Sequence, residues 1–316
     1  MLQYTLRRLL AIIPTLFGMA LLIFVMVRML PGDFVDAMVG ADSTLSAEAR
    51  EQLRASYGLS DSIPQQFVRW MGGLFTGDLG VSFRTGEPII KILAAGLPVT
   101  LELAVLSSLV ATSIAIPLGI VSATNRNGIV DFWARVAGLI GLSFPNFWLA
   151  TVMLLATSLW FQWVPPVIWI SPFTDLKGNL LQILLPVLAL SVQLIAIQMR
   201  MVRTSMLEVL RQDYIRTARA KGLAERVVVY GHALRNAFIP VVTVIGLQLG
   251  ALMGGSVIIE QIFGLPGLGW FLLQAIYNRD YPVIQVTALF LASVFVLINL
   301  VVDLLYAWLD PRIKYR

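Results

Sequence analysis

The sequence predicts an all-α integral membrane protein with six transmembrane helices, and three observations predict it. The 316 residues are 58% hydrophobic and only 13% charged, with a mean hydropathy of +0.82, far from the balance of a water-soluble domain. Apolar windows of about 20 residues, the length a helix needs to cross hydrocarbon, fall near 9–30, 98–123, 131–163, 179–202, 237–262 and 284–308. Basic residues gather on alternate connections between these windows, which gives the chain an orientation.

The first window follows Arg7 and Arg8 and runs from Leu9 to Val27. It is longer than a secretory signal core, and no A-x-A-like site precedes Arg28-Met-Leu-Pro-Gly, so residues 1–30 are expected to form an uncleaved end and first span. Residues 31–97 form an extracytoplasmic insert. Within it Ser46 opens a short helix that Gly58 ends, a second helix lies around Gln65 to Phe75, and the Gly-rich GDLGVS follows at 77–82. Both helices are amphipathic and are expected to cap the outer face. An insert of this size is small for an independent domain and is expected to owe its order to packing on the bundle.

Residues 98–316 are expected to form a five-helix core. The third window is long enough to bend, with Pro145 as the cause. The connections at 164–178 and 263–283 are short, and PGLG at 266–269 signals a tight turn. With both termini cytoplasmic, the inner side carries 15 of the 23 Lys and Arg: Arg7, Arg8, Arg126, Arg135, Arg200, Arg203, Arg211, Arg216, Arg219, Lys221, Arg226, Arg235, Arg312, Lys314 and Arg316. The net charge of +5 is therefore a topology signal. No basic-aromatic patch accompanies it, so nucleic-acid binding is not indicated.

Several chemistries are missing. There is no cysteine, which removes disulfides, thiolate catalysis and Cys-based metal sites. No G-x-x-x-x-G-K-[ST] occurs, and the GLPGLG stretch has neither the lysine nor a preceding strand. The single histidine, His232, reads as a packing or hydrogen-bonding residue, and no carboxylate cluster suggests a metal. Inside the spans, Glu102 and Asp303 read either as a proton relay or as a structural pair or cap. Gln193, Gln198, Gln248 and Asn299 either line a path or join helices.

The fifth window carries Gly246, Gly250 and Gly254 at intervals of four, with Gly255 and Ser256 beside the last. These share one helical face where another backbone can approach, and that face could also border a pore or a subunit seam. The 203–238 segment breaks the apolar pattern. RTSMLEVLRQDYIRTARAKG predicts one helix from Arg203 to a C-cap at Gly222, and a second amphipathic piece runs from about Ala224 into span five at Pro240. The small residues Thr217, Ala218 and Ala220 suit insertion into a protein groove, while the basic residues suit anionic headgroups. Spacing alone leaves both open.

The segment Tyr214-Ile-Arg-Thr-Ala-Arg-Ala-Lys-Gly-Leu223, followed by His232-Ala-Leu-Arg-Asn-Ala237 and Pro240, resembles the cytoplasmic EAA-type loop of ABC importer permeases of the dipeptide, oligopeptide and nickel branch. MLPGD at 29–33, GDLGVS, TLELA at 100–104, IFGLPGLG at 262–269, RDYPVIQ at 279–285 and the terminal DPRI extend the resemblance along the chain. The wider superfamily's Glu-Ala-Ala is here Arg216-Thr217-Ala218. The resemblance implies a type I importer permease fold. It implies a coupling helix docked on a cytoplasmic ATPase through Tyr214, Arg216, Thr217, Ala218, Arg219, Lys221, Gly222 and Leu223, with Gly246, Gln248, Gly250, Gly254, Gly255 and Ser256 at the translocation path or a permease seam.

It also implies a second homologous permease, two ABC ATPases that bind ATP and magnesium, an extracytoplasmic binding protein, a peptide cargo and a bacterial inner-membrane setting with surrounding lipids. This chain is expected to be non-catalytic and to bind no cofactor itself. Nickel chelates, glutathione and oligosaccharides are alternative cargoes. A stand-alone secondary transporter would need its own coupling groups, and Glu102 and Asp303 are expected on opposite sides.

Overall fold

The computed structural model describes residues 2–40 and 45–309. The DPRI stretch, with Arg312, Lys314 and Arg316, lies outside them, as does the side chain of Arg7. In chain order the helices are α1 (Leu2–Arg28), α2 (Phe34–Val39), α3 (Ala47–Ser56), α4 (Ile63–Thr76), α5 (Ile89–Thr124), α6 (Ile129–Ser143), α7 (Asn146–Phe161), α8 (Leu176–Val209) and α9 (Asp213–Ala220). They continue with α10 (Glu225–Gly255, with a π turn at Val228–Ala233), α11 (Val257–Phe263), α12 (Leu268–Tyr277) and α13 (Tyr281–Leu309). Among the described residues the only extended pairing is one antiparallel bridge between Val81 and Pro88.

Five helices are each long and apolar enough to cross a bilayer, and the pairs α6–α7 and α11–α12 have the length and composition of either a broken span or a re-entrant loop. The α6–α7 pair bends by 95°. Pro145 causes it: the ring removes a backbone donor and sits as N-cap of α7 in extended backbone. The second broken pair differs from the sequence expectation, which carried span five through residue 262. Gly254, Gly255 and Ser256 end α10, and the Ser256 hydroxyl donates to Glu260 Oε1 at 2.8 Å, starting α11 while satisfying a fully buried carboxylate. Glu260 was the missed signal, because a carboxylate in an apolar window needs a local partner.

The chain divides into two compact units. The first comprises Met1–Leu6, Leu101–Leu265 and Phe295–Arg316. Its centre is α8, 56% of whose apolar window is enclosed, against 17% for α1. Small residues permit this. A Cβ at Gly119 would strike Val202 at 2.6 Å and the Met199 carbonyl at 2.9 Å, and Gly141 lies against Val192 and Ala196. Polar side chains add cross-links: Thr112 donates to Gln198 (3.0 Å), Gln198 to Gln248 (2.8 Å), and Ser191 to the Ser107 carbonyl (3.1 Å). Gln198 and Gln248 therefore join α5, α8 and α10.

The second unit comprises Arg7–Thr100 and Pro266–Val294. Ser46 caps α3 by accepting from Ala49 N–H, and Gly58 (φ +67°) follows its end. Asp33 and Asp36 form a reciprocal capping box at α2, a helix absent from the sequence reading because six residues carry too little periodicity to register. Arg54 then clasps both carboxylates, at 2.6 Å and 2.9 Å. Partial burial pushes the Asp33 carboxyl up, but the Asp36 backbone N–H and the Arg54 guanidinium outweigh it and hold it below the usual range.

Stretches that carry the family resemblance meet in this unit. Asp280 accepts from the Ser82 hydroxyl at 2.5 Å, Phe83 N–H at 3.1 Å and Arg84 N–H at 3.3 Å, so RDYPVIQ pins the end of GDLGVS. Tyr281 donates to the Gly32 carbonyl at 3.0 Å, tying in MLPGD. The PGLG turn docks on α5, where Leu268 N–H donates to Thr100 at 2.8 Å and Gly96 leaves no room for a Cβ against the Leu268 nitrogen.

Candidate functional site

The connection between α8 and α10 is a short helix held down on one side and bare on the other. Backbone regularity stops at Val209 and restarts at Asp213, with Gln212 extended (φ −71°, ψ 150°). The sequence reading ran a single helix from Arg203 to Gly222. The break has a physical reason. An acidic first-turn residue favours a new helix start at Asp213, and the change of direction lets Ile215 and Ala218 turn onto a core of Ile120, Val202, Met206, Val228 and Ala233. Burying Ile215 fully contributes roughly 1.5–3 kcal/mol, enough to offset a few solvated backbone groups.

Two side-chain links fix the piece to α10. Tyr214 Oη accepts from Asn236 Nδ2 at 2.9 Å. Across the corner, Arg219 donates to both Glu225 oxygens, from Nε at 3.0 Å and Nη2 at 2.7 Å, and this bond raises the guanidinium above its ordinary value. The corner is Gly222 at φ +79°, whose own N–H bonds the Arg219 carbonyl at 2.9 Å. Nothing crowds the position of its missing Cβ, so the need for glycine is conformational alone. The π turn then aims Val228, Val229 and Ala233 inward. His232 lies on it, exposed, with its carbonyl accepting from Asn236.

The exposed side of α9 carries Arg216, Thr217, Ala220 and Lys221, with Leu223 beyond it. The expected small-residue ridge is thus divided: Thr217 and Ala220 face out, whereas Ala218 belongs to the chain's own core. Thr217 donates to the Asp213 carbonyl at 3.0 Å, and Arg216 reaches Asp213 at 3.3 Å. A one-sided basic surface on a fixed backbone can dock against a partner, and none of its side chains offers a nucleophile with an adjacent base.

The same unit holds an ion pair that the sequence reading did not single out. Asp131, 0% exposed, accepts from Arg203 Nε at 2.7 Å and Nη2 at 3.0 Å, Ser122 Oγ at 2.6 Å and Asn127 N–H at 3.0 Å, with Arg135 at 3.6 Å. It ties the end of α5, the start of α6 and the last third of α8 into the frame that carries α9. An aspartate opening an apolar run, with an arginine on another span, was the available signal.

The glycine face also divides. Gly246 is buried against Val302 and Gly250 against Phe295, at 3.0 Å from its absent Cβ, so α13 of the same chain takes the close approach there. Gly254 and Gly255 are exposed with open space beside them. Gln248 spends its carbonyl on Gln198, and Ser256 is buried against Glu260. Asp303 is half-buried. Glu102 is half-buried too, facing Asn179 and Trp169.

Known proteins similar to this chain in sequence share a description. A family model for binding-protein-dependent transport system inner membrane components matches residues 115–315, and the N-terminal model of the same systems matches residues 1–104. The dipeptide transport system permease protein DppB of Alkalihalophilus pseudofirmus is 42% identical over 335 residues, and that of Escherichia coli K12 is 40% identical over 339 residues. The oligopeptide permease AppB of Bacillus subtilis is 39% identical over 318 residues; in all three, each chain is covered in full. An inward-facing structure of the MetNI methionine ABC transporter matches 71% of this chain and 99% of its own, with a TM-score of 0.58 and 22% identity, which speaks to fold. Matched in both halves and end to end, this multi-pass chain belongs to the binding-protein-dependent inner membrane components, as an ABC importer permease of the dipeptide permease kind.

Proposed function

We propose that this chain is the membrane-spanning subunit through which an ATP-driven importer moves di- or oligopeptides, and that α9 is its coupling helix. The observation that carries the coupling role is the fixed, one-sided α9: Ile215 and Ala218 lock it to the bundle while Arg216, Thr217, Lys221 and Leu223 remain exposed. A helix anchored in this way transmits displacement as a rigid body instead of absorbing it in a loop. Peptide cargo is supported by the end-to-end similarity to permeases described as dipeptide and oligopeptide proteins.

In this reading α9 faces the cytoplasm, both termini lie on that side, and Tyr214, Arg216, Thr217, Arg219, Lys221, Gly222 and Leu223 form or shape the surface seated in an ATPase cleft. ATP and magnesium are bound by the ATPase subunits, and hydrolysis drives alternating access in the spans. A second permease completes the path, with Gly254 and Gly255 as the open part of the glycine face. A binding protein delivers the peptide to the face formed by residues 31–97. Uptake of labelled dialanine into vesicles containing the whole assembly tests the reading. ATP-dependent accumulation is expected; uptake of a nickel chelate, glutathione or an oligosaccharide in its place, or uptake without ATPase chains, overturns it.

A further inference from the structure

Arg28, the last residue of α1, lies between two aromatic rings, 4.6 Å from the centroid of Phe24 and 4.6 Å from that of Tyr281. Its Nε and Nη2 both donate to Gln66 Oε1, at 3.0 Å and 2.6 Å. Gln66 is itself fixed, donating to the Leu59 and Asp61 carbonyls. The arginine is therefore rigid and bonded to a neutral amide. Its third nitrogen, Nη1, is buried and meets no acceptor among the described residues.

Two more buried donors share this condition: the indole N–H of Trp70, and Nε2 of Gln285, a residue 3% exposed. Arg28, Trp70 and Gln285 line one cavity of about 310 Å³. Asp78, the one carboxylate on its wall among the described residues, accepts from Gly80 N–H at 2.9 Å, and the wall's other arginine, Arg69, pairs with Asp61. Three residues that each bear an unpartnered, enclosed donor, one of them cationic, thus share the lining of a single cavity. Buried donors in folded proteins are nearly always satisfied, and an arginine among neutral donors is the chemistry that recognises an oxyanion.

The surroundings indicate which oxyanion. Aromatic rings step from the surface of α1 toward the cavity: Phe17 to Phe67 at 6.1 Å, Phe67 to Phe24 at 5.1 Å, and Phe24 stacked on Trp70 at 5.9 Å. Beside them α1 exposes Phe17, Leu21, Leu22 and Val25, and α4 exposes Val68 and Phe75. An oxyanion pocket at the end of a span, rimmed by Trp and Tyr and continuous with bare apolar surface, has the two-part chemistry of a phospholipid at the interface. We propose that this cavity binds the phosphodiester of a phospholipid, with the acyl chains lying along α1.

The inference does not depend on the cargo. Native mass spectrometry of the purified transporter complex, titrated with short-chain phosphatidylglycerol, tests it, with inorganic phosphate and dialanine as the competing oxyanions. Gln285→Glu keeps the shape and places a negative charge in the pocket, and Trp70→Phe removes one N–H while keeping the ring stack. Retention of lipid is expected, weakened about tenfold or more by Gln285→Glu and a few-fold by Trp70→Phe, and insensitive to dialanine. Equal retention in wild type and both variants overturns the proposal. So does binding of dialanine or free phosphate without lipid that Gln285→Glu weakens, which would assign the pocket to cargo or to a soluble anion. Circular dichroism of each variant separates loss of binding from loss of fold.

Discussion

Arg203 grips Asp131 with two parallel hydrogen bonds, 2.7 Å and 3.0 Å, and the carboxylate is wholly enclosed. Arg203 keeps part of its side chain exposed, so the cost of breaking the pair belongs at the lower end for buried ions. Arg203→Gln and Asp131→Asn are each expected to lower stability in detergent by about 2–3 kcal/mol. The double variant should lose less than the sum, as a thermal-unfolding cycle would read. Strict additivity would mean that the two residues act independently.

The glycine face of α10 offers a steric test. Gly246→Ala drives a methyl into Val302, at an expected cost of about 1–3 kcal/mol, whereas Gly254→Ala meets open space and should leave the melting temperature of the chain unchanged. Adding Val302→Ala to Gly246→Ala should restore most of the loss. Failure of that rescue would show that Gly246 packs against something other than α13.

Asp280 holds residues 82–84 from the far end of the sequence. Asp280→Ala removes the side-chain acceptor of two backbone N–H groups. Hydrogen exchange at residues 82–84 should therefore quicken by roughly 10–100-fold. Unaltered protection there would place the loop's order elsewhere.

Acid should loosen α2 from α3. Because the folded Asp33 carboxyl titrates below its unfolded value, its contribution is complete above the unfolded value and is lost as pH falls through the folded one. Local protection of residues 33–39 should be flat from neutrality to about pH 5 and decline below about pH 4. Arg54→Ala should weaken protection at neutral pH and flatten that decline. An acid response identical in the variant would point to other carboxylates.

Much of this was legible in the sequence wherever one residue type has one dominant use. Ser46 and Gly58 bracket α3, Pro145 bends the third span, and Gly222 adopts the left-handed corner. What failed to show is what depends on neighbours far along the chain. Helical spacing put Gly246, Gly250 and Gly254 on one face, but only the fold reveals that α13 covers two of them. Likewise, propensity favoured an unbroken helix to Gly222, and tertiary burial of Ile215 overrode it. Asp131 was not singled out, because its partner lies 72 positions away.

Under the proposed coupling role, Gly222 should separate folding from coupling. An aspartate there has space but an unfavourable backbone, a strain of about 1 kcal/mol or more. Gly222→Asp is expected to insert and assemble normally yet lose peptide-stimulated ATP hydrolysis. Normal stimulation would remove the corner from the coupling path.

The proposed seating of α9 on an ATPase is most directly tested by cysteine cross-linking in the assembled transporter. Thr217→Cys and Lys221→Cys, on the exposed side, should form adducts with an ATPase chain whose yield changes with nucleotide, while the inward Ala218→Cys should form none. An intact, transporting complex in which neither exposed position reaches an ATPase would contradict the account.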